Sequence, residues 1–222
     1  IVVFTHSDGQ SSETARKLLG DFKGYIQTDG YAGYNFLDRT RHLGCLAHVR
    51  RYFIDSLKNS SFKESKSFSG ELVKDIDEIF ELERNISDKF NDDERLKYRR
   101  EILLPLMKRG FSKISSVTAS VKSSLGKARN YALSHERNIL NIFEKGYLEL
   151  SNNSAERAVK ESVMERKNWL FSSTFEEAQA NAVALSLIYT AKLNHLDPEE
   201  YLRKVLTEIT SIEIFDPEMF RK

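Results

Sequence analysis

The sequence predicts an α/β fold in which short strands come first and helices make up most of the remaining chain. Two apolar stretches with strand character, residues 1–5 and 25–28, flank a helical stretch at residues 13–19. That order is typical of a strand-helix-strand crossover. From residue 72 onward, apolar residues recur at helical spacing. The chain is therefore expected to combine a small sheet with a large helical region.

Composition and charge limit the classes of function. The 222 residues are 40% hydrophobic and 30% charged, with no apolar run as long as a membrane span. The net charge of +1 gives no overall attraction to polyanions, so nucleic-acid binding would have to rest on local patches. The single cysteine, Cys45, excludes an internal disulfide and suits a reducing cytoplasm. We expect a cytoplasmic protein without a secretory leader, excised from a longer one because it starts inside an apolar run.

The dipeptide Asp29-Gly30 ends the second predicted strand. It would place a carboxylate at a strand tip, where the backbone turns sharply and where α/β folds usually bind ligands and metals. The alternative is a plain turn, because Asp-Gly is among the commonest turn dipeptides. Local sequence leaves both interpretations open.

The elements around this turn follow from caps and apolar spacing. Ser11 or Ser12 can cap the first helix, and Gly20 can end it. The elements predicted after the turn are a short helix, a short apolar strand and a helix at residues 34–38, 43–48 and 49–57. Residues 39–51 contain four Arg, two His and no acid, which favours either a DNA-binding patch or a solvated surface.

The middle of the chain is predicted to be helical after a Ser- and Lys-rich linker at residues 59–70. An acidic helix over residues 72–90 precedes a basic helix over residues 94–104, which Pro105 should kink or end. We expect these two helices to be antiparallel neighbours; the alternative is that the basic one faces DNA. Two more helices are predicted, one over residues 114–132 and a short one at 135–143.

The last part should return to a briefly extended stretch and then to helices. Residues 151–154 offer N-caps for a helix that carries Glu156 in its first turn, where a carboxylate also suits the helix dipole. A basic and aromatic segment follows at residues 166–171. A long helix at residues 175–193 and a last helix, capped by Asp197 with Pro198 at its first position, end the predicted elements.

Asp29 and Glu156 are the two acids whose positions suit metal-dependent phosphoryl transfer. Such sites need carboxylates that converge on two hard cations roughly 3.5–4 Å apart. Mg²⁺ takes oxygen ligands and is satisfied by a few carboxylates, phosphate and water. Only the fold could bring these two acids together, so sequence spacing by itself is a weak argument.

Four blocks of this chain resemble the signature blocks of the insertion-sequence 66 family of bacterial transposases. They are residues 27–34, 44–53, 152–157 and 166–171, and the resemblance extends from about residue 1 to 202. It implies a DDE transposase with an α/β, ribonuclease H-like fold that is incomplete at the N-terminus and carries a large all-helical insertion and C-terminal helices. The expected division is 1–57 and 147–210 for the two parts of the core, 58–146 for the insertion and 211–222 for the tail.

The resemblance also implies roles for individual residues. Asp29 would be the second and Glu156 the third acid of a catalytic triad that binds Mg²⁺ or Mn²⁺, with two ions in the complete enzyme. The first Asp would lie upstream of Ile1, so we expect this chain to be inactive alone. Cys45 and His48 match a Cys-x-x-His pattern, in which we expect Cys45 to be a core residue and His48 to lie near the active site in a positioning role.

DNA is the partner that the resemblance implies, with a homo-oligomer and accessory proteins of the element as further partners. Arg and Lys neutralise phosphates, and Trp can stack on an unpaired base. For Trp169 the alternative is a core aromatic, and for Arg157 a salt bridge that orients its helix. The expected DNA contacts are His48, Arg50, Arg51, Asn153, Arg157, Arg166, Lys167 and Trp169.

The expected activity is metal-dependent cleavage of transposon ends, followed by attack of the 3′-hydroxyl on target DNA. The main alternative is a DNA-binding or assembly module without chemistry, a remnant of a mobile element. A nuclease on the same fold is the third interpretation, and it is less favoured because the transposase blocks are more specific than the fold.

Overall fold

The computed structural model describes residues 1–7, 9, 11–58, 67–166 and 174–208; the side chains of 161–166 and 208 are outside this description. Within it, the protein is mostly helical with a small sheet, in agreement with the α/β class. Contacts divide the chain into a larger unit, Ser11–Asn153, and a smaller unit, Ile1–Gln10 with Ser154–Lys222. The residues predicted as the first part of the core therefore fall in both units. The expected division into core and insertion stays a prediction.

The larger unit begins with helix α1, Ser12–Leu19. The Ser11 hydroxyl accepts the Thr14 backbone N–H at 3.1 Å, which confirms Ser11 as the N-cap. Gly20 follows with φ 51°, and its N–H donates to the Arg16 carbonyl. The predicted start and end of this helix are both confirmed, because caps are local features.

The sheet that the described residues form is a parallel pair, strand β1 (Ile26–Gln27) beside strand β2 (His42–Leu43). A 3₁₀ turn at Ala32–Tyr34 lies between them, earlier than the short helix predicted at residues 34–38. The strand predicted at residues 43–48 is also shorter than expected, because helix α2 (Leu46–Lys58) already begins at Leu46.

The described residues of the larger unit form further α-helices after α2: α3 (Phe68–Ser87), α4 (Asp92–Tyr98), α5 (Leu104–Ser116) and α6 (Ser124–Leu140). Most of the predicted linker at residues 59–70 lies outside the described residues. The basic helix does not end at Pro105, because a π-helical turn at Arg99–Leu103 leads directly into α5. The π turn lies just ahead of the proline, which has no N–H to donate to the helix ladder.

The helix predicted over residues 114–132 is two helices. Helix α5 ends at Ser116, and the Ser123 hydroxyl accepts the Gly126 N–H to cap α6. Gly126 packs so tightly against the Ser120 backbone that a Cβ would overlap it. The separate helix predicted at residues 135–143 is wrong as well, because α6 continues to Leu140 and a 3₁₀ turn follows at Asn141–Glu144. Apolar residues keep their helical spacing between the end of α5 and the start of α6, so the sequence pattern does not show that the helix ends there.

The core of the larger unit lies among α2, α3, α5 and α6, with β2 packed against it. Burying each such apolar side chain contributes about 1.5–3 kcal/mol. This packing fixes α6 against the ends of both strands. Its buried members include Leu43, Leu46, Val49, Phe53, Leu72, Ile76, Ile79, Leu103, Met107, Ala128, Ala132, Ile139 and Ile142.

A buried ion cluster joins the acidic and basic helices. Glu83 of α3 accepts hydrogen bonds from Arg95 at 2.7 Å and from Arg99 at 2.7 and 2.9 Å. The expected pairing of these helices is thereby confirmed. The DNA-facing alternative is wrong for Arg95 and Arg99, since the Arg99 side chain is 0% exposed and that of Arg95 is 11% exposed.

The smaller unit contains helices α7 (Asn153–Arg166), α8 (Phe175–Leu193) and α9 (Pro198–Glu208). The long helix has the bounds that its sequence predicted. Asp197 caps α9 as expected, because its carboxylate accepts the backbone N–H groups of Glu199 and Glu200, both at 2.9 Å. Helices α8 and α9 pack through buried Leu187, Ala191, Tyr201 and Val205.

Residues 1–5 are not the buried strand that the sequence predicted. Ile1 and Val3 are each 68% exposed. The backbone N–H of Val2 donates to Thr190 Oγ1 at 3.0 Å, and that of Phe4 donates to Ser186 Oγ at 2.8 Å. Hydroxyls one helical turn apart on α8 thus take the place of a neighbouring strand. Because residues 1–5 form no strand in the described part of the chain, the strand-helix-strand crossover that was expected to start from them is wrong.

The helices of the described residues can be compared with the thickness of a lipid bilayer. None of them is both long and apolar enough to cross a bilayer.

Candidate functional site

Asp29 lies just beyond the carboxyl end of strand β1, where its side chain is exposed. Its Oδ1 accepts the backbone N–H of Tyr31 at 3.0 Å, which makes a turn closed by the aspartate side chain. An ionised carboxylate offers about four acceptor positions, so one N–H leaves capacity for a cation. The turn and ligand interpretations of Asp29 are therefore compatible.

A polar stripe on α6 supports this strand tip. Tyr131 Oη donates to the backbone carbonyl of Asp29 at 2.7 Å. The next residue, Gly30, has φ 88°, and a Cβ there would lie 2.7 Å from His135 Nε2 and 2.9 Å from Tyr131 Oη. Position 30 thus needs glycine both for its backbone conformation and for space. The strand tip and α6 are fitted closely to each other.

The hydroxyl of Tyr131 stays protonated. Burial raises its pKa well above the usual value, and the negative charges that Cys45, Tyr52 and Asp29 can carry add to that rise. A neutral phenol can donate its proton to a carbonyl. The bond from Tyr131 to the Asp29 carbonyl is therefore maintained across the physiological pH range.

A second chain of hydrogen bonds holds Thr28, the residue before Asp29. His42 Nε2 lies 2.8 Å from Thr28 Oγ1, and His42 Nδ1 lies 3.1 Å from Asn138 Nδ2. Because the Asn138 amide donates to Nδ1, the proton of a neutral His42 is on Nε2 and is donated to Thr28. Burial, and then the charge of His135, lower the pKa of His42 and favour this neutral form.

Three rings form a stack beside the strand tip, here called the ring stack: Tyr52, Tyr131 and His135. The centroids of Tyr52 and Tyr131 are 4.3 Å apart with 21° between the planes, and those of Tyr131 and His135 are 4.4 Å apart with 30°. Tyr52 is 39% exposed and forms the solvent side of the stack. Arg51 Nη1 lies 3.3 Å from His48 Nε2 on the same helix, α2.

The basic stretch at residues 39–51 is divided by the fold. Arg41 precedes β2, and its carbonyl accepts the Ile26 N–H, so it lies at the opposite end of the sheet from Asp29. Arg50 is held by Asp77 of α3 through bonds of 2.5 and 3.0 Å, which raise the pKa of Arg50. Arg51 is exposed. One sequence patch thus becomes three separate environments, because a strand and a helix lie within it.

Cys45 and His48 are close together in the larger unit. Cys45 is buried, as expected of a core residue. Its Sγ and a ring nitrogen of His48 are within 4.8 Å of each other, since α2 begins between them and brings residues three apart onto one face.

In the smaller unit, Glu156 lies in the first turn of α7 and is half-buried. Asn153 begins the helix. Arg157 is exposed and borders a cavity of about 560 Å³ lined also by Phe4, Val159 and Tyr189. Lys167, Trp169 and the side chain of Arg166 lie outside the described residues. The predicted site residues are thus distributed over both units.

Comparison with known proteins decides the family. A model described as "Transposase IS66 family" matches residues 1–180, and a second, "IS66 C-terminal element", matches residues 186–213. The chain belongs to the IS66 family of transposases. The resemblance noted in the sequence is thereby confirmed, and every predicted site residue falls inside the matched ranges.

Two proteins of Sinorhizobium fredii are similar to this chain. The protein named "Uncharacterized protein y4jD" is 32% identical over 95% of this chain and 42% of its own length. "Uncharacterized protein y4hP" is 30% identical over 93% of this chain and 40% of its own length. This IS66-family chain therefore spans about two fifths of the curated relatives that it matches. No solved structure matches it.

Sequence reasoning missed the α6 residues of this candidate site. Tyr131, His135 and Asn138 recur at spacings of four and three, so they form one polar stripe on a helix that is otherwise apolar on its buried side. That stripe was the available signal. The helix predicted at residues 135–143 divides this stripe between two elements, whereas α6 carries all three residues.

Proposed function

We propose that this chain is the catalytic domain of a DDE transposase with a ribonuclease H-like fold. It would cut DNA at the ends of a mobile element and join the 3′-hydroxyl to target DNA. Membership in the IS66 family supports a transposase role in general. The observation that carries the catalytic proposal is the exposed carboxylate of Asp29 at the end of a parallel strand, on a backbone held by Tyr131.

The oxygen chemistry of Asp29 and Glu156 fits Mg²⁺ or Mn²⁺. Asp29 is exposed and gives one acceptor position to Tyr31, and Glu156 stands half-buried at a helix start. A bound divalent ion supplies charge neutralisation to the oxygens that attack and leave phosphorus. Following the family resemblance, we assign the remaining acid to a segment upstream of Ile1 in the longer protein, and we expect the 222-residue chain to be inactive without it.

The other residues of the site would bind and orient. Tyr131 holds the backbone carbonyl of Asp29, and His42 holds the side-chain hydroxyl of the preceding Thr28, which limits the positions that the Asp29 carboxylate can take. Arg51 would neutralise a phosphate from its exposed position, and the Arg50 guanidinium would do so while it is also bound to Asp77. The further DNA contacts that we propose are His48, Asn153, Arg157, Arg166, Lys167 and Trp169.

The test uses the longer protein that contains this chain, with labelled DNA from the ends of its own element. Strand cleavage should require Mg²⁺ or Mn²⁺ and should fall to background in Asp29→Asn and in Glu156→Gln. Two matched controls exist. Asp38 is an exposed aspartate that accepts its own turn N–H from Thr40 at 2.9 Å, and Glu176 lies in the first turn of α8.

Asp38→Asn and Glu176→Gln should therefore cleave like the wild type. Unchanged cleavage in both Asp29→Asn and Glu156→Gln would refute the assignment. Metal-independent DNA binding without cleavage under any metal would instead support a module for binding or assembly. Self-association, accessory proteins and a cytoplasmic location stay predictions.

A further inference from the structure

The ring stack is a preformed aromatic surface next to the candidate carboxylate. Tyr131 stacks with both other rings and bonds the Asp29 carbonyl, while His135 Nδ1 lies 2.8 Å from the Tyr131 carbonyl one turn earlier on α6. Two of the three rings are thus fixed by contacts inside the larger unit. Tyr52 comes from another helix and is the ring that remains 39% exposed.

A single exposed tyrosine is ordinary on protein surfaces. What distinguishes Tyr52 is that its ring is held in a fixed plane by the ring below it. Such a ring can receive a further flat group with little additional loss of conformational freedom. Stacking on aromatic side chains is the main way in which proteins hold unpaired bases, because every base has a π face.

The charge beside Tyr52 suits a phosphodiester backbone. Arg51 precedes it on α2, is exposed, and lies close enough to Tyr131 for its charge to act on the Tyr131 hydroxyl. A cation beside a flat ring favours a nucleotide over an uncharged aromatic peptide.

We propose that Tyr52 is a stacking platform for an unpaired DNA base, with Arg51 contacting the adjacent phosphate. The Tyr52 ring stacks on the ring of Tyr131, whose hydroxyl donates a hydrogen bond to the Asp29 carbonyl. The platform therefore holds DNA in a locally unpaired form beside the strand tip. The proposal deepens the proposed function and rests on it for the nature of the substrate.

The test uses the 222-residue chain without divalent cations, so that it does not depend on cleavage. A single-stranded oligonucleotide carrying one 2-aminopurine reports stacking by loss of its fluorescence, and anisotropy gives Kd. The wild type should quench the probe. Tyr52→Leu should raise Kd roughly 5- to 150-fold and abolish quenching, whereas Tyr52→Phe should stay within about twofold of the wild type.

Tyr147→Leu is the matched control, because Tyr147 is a 54% exposed tyrosine in an edge-to-face contact with Tyr25 of the same unit. It should bind and quench like the wild type. Circular dichroism melting shows whether Tyr52→Leu remains folded. If it does not, quenching by the wild type and by Tyr52→Phe still decides the matter.

Absence of quenching by the folded wild type would overturn the proposal. Equal losses of binding and quenching in Tyr52→Leu and Tyr147→Leu would also overturn it. So would a Kd for a duplex of the same sequence that equals the single-strand Kd, if Tyr52→Leu leaves both Kd values unchanged. In any of these cases metal-dependent cleavage by the longer protein could still stand. Conversely, loss of cleavage with normal quenching leaves the platform in place.

Discussion

Two carboxylates in the larger unit, Glu83 and Asp29, have opposite surroundings. Glu83 is buried and receives hydrogen bonds from two arginines, whereas Asp29 is exposed and receives one backbone N–H. Burial by itself would raise the pKa of Glu83, but hydrogen bonds and charge from Arg99, and then from Arg95, outweigh it and hold that pKa below its usual value. The first acid is saturated by structural partners, and the second keeps capacity for a new ligand.

The way each acid is supported explains this difference. Arg99 also donates to the carbonyl of Gly146 at 3.1 Å, so the Glu83 cluster ties α3 to the segment before α7. Around Asp29, Tyr131 and His42 hold the backbone and the neighbouring Thr28 rather than the carboxylate. A fold can therefore fix the position of an acid without using its charge. That is the arrangement that a metal ligand needs.

The largest expected effect is on stability, in Glu83→Gln. Removal of this charge leaves the buried Arg99 without its acidic partner and leaves Arg95 with the longer contact to Glu149 at 3.4 Å, which costs about 3–5 kcal/mol. Urea unfolding of the chain measures the loss. Glu81→Gln, at an exposed position of the same helix, should change the free energy of unfolding by less than about 0.5 kcal/mol.

The same comparison has a pH signature. Because the pKa of Glu83 is lowered on folding, its contribution to stability is present above the unfolded value of about 4.5 and is lost as pH falls through the lower, folded value. Glu83→Gln should therefore lose less stability on acidification than the wild type does. Equal acid sensitivity of the two proteins would contradict the paired role of Glu83.

The second effect is expected in Gly30→Ala. A Cβ at φ 88° is strained, and it would also push against His135 and Tyr131. We expect a loss of about 1–3 kcal/mol, measured by urea unfolding. Gly9→Ala is the control, because a Cβ at Gly9 meets nothing within 4 Å. Equal stability of the two variants would show that the strand tip is not held as tightly as described.

The smallest effect on stability is expected in Asp29→Asn. Asparagine can still accept the Tyr31 N–H through its carbonyl oxygen, and the side chain is exposed. The free energy of unfolding should change by less than about 0.5 kcal/mol. If Asp29→Asn lowered the free energy of unfolding as much as Glu83→Gln does, Asp29 would be a structural carboxylate like Glu83 and not one that can take a new ligand.

Local features of the fold were predictable from sequence. The Ser11 and Asp197 caps, the Gly20 helix end and the turn at Asp29 each depend on residues within one turn of chain. The family blocks identified the class of protein. Apolar spacing failed where α5 gives way to α6, because a cap at Ser123 interrupts a pattern that continues on both sides.

Residues 1–5 show the limit of local propensity. Their apolar, β-branched run predicts a strand, but strand hydrogen bonds need a neighbouring strand. In this structure the backbone of Val2 and Phe4 is satisfied by side-chain hydroxyls of α8, more than 180 positions along the chain. Sequence specified the extended shape, and tertiary packing supplied the partner.

The sequence by itself determined the family, the caps of α1 and α9, the bounds of α8 and the presence of an acid after β1. Only the tertiary structure decided how buried each of two neighbouring charges is. It paired Arg50 with Asp77 and left Arg51 exposed, although the two are adjacent. It also placed Tyr131 against an aspartate 102 positions away. Caps and turns close within a few residues, whereas the choice of a distant partner depends on how whole helices pack.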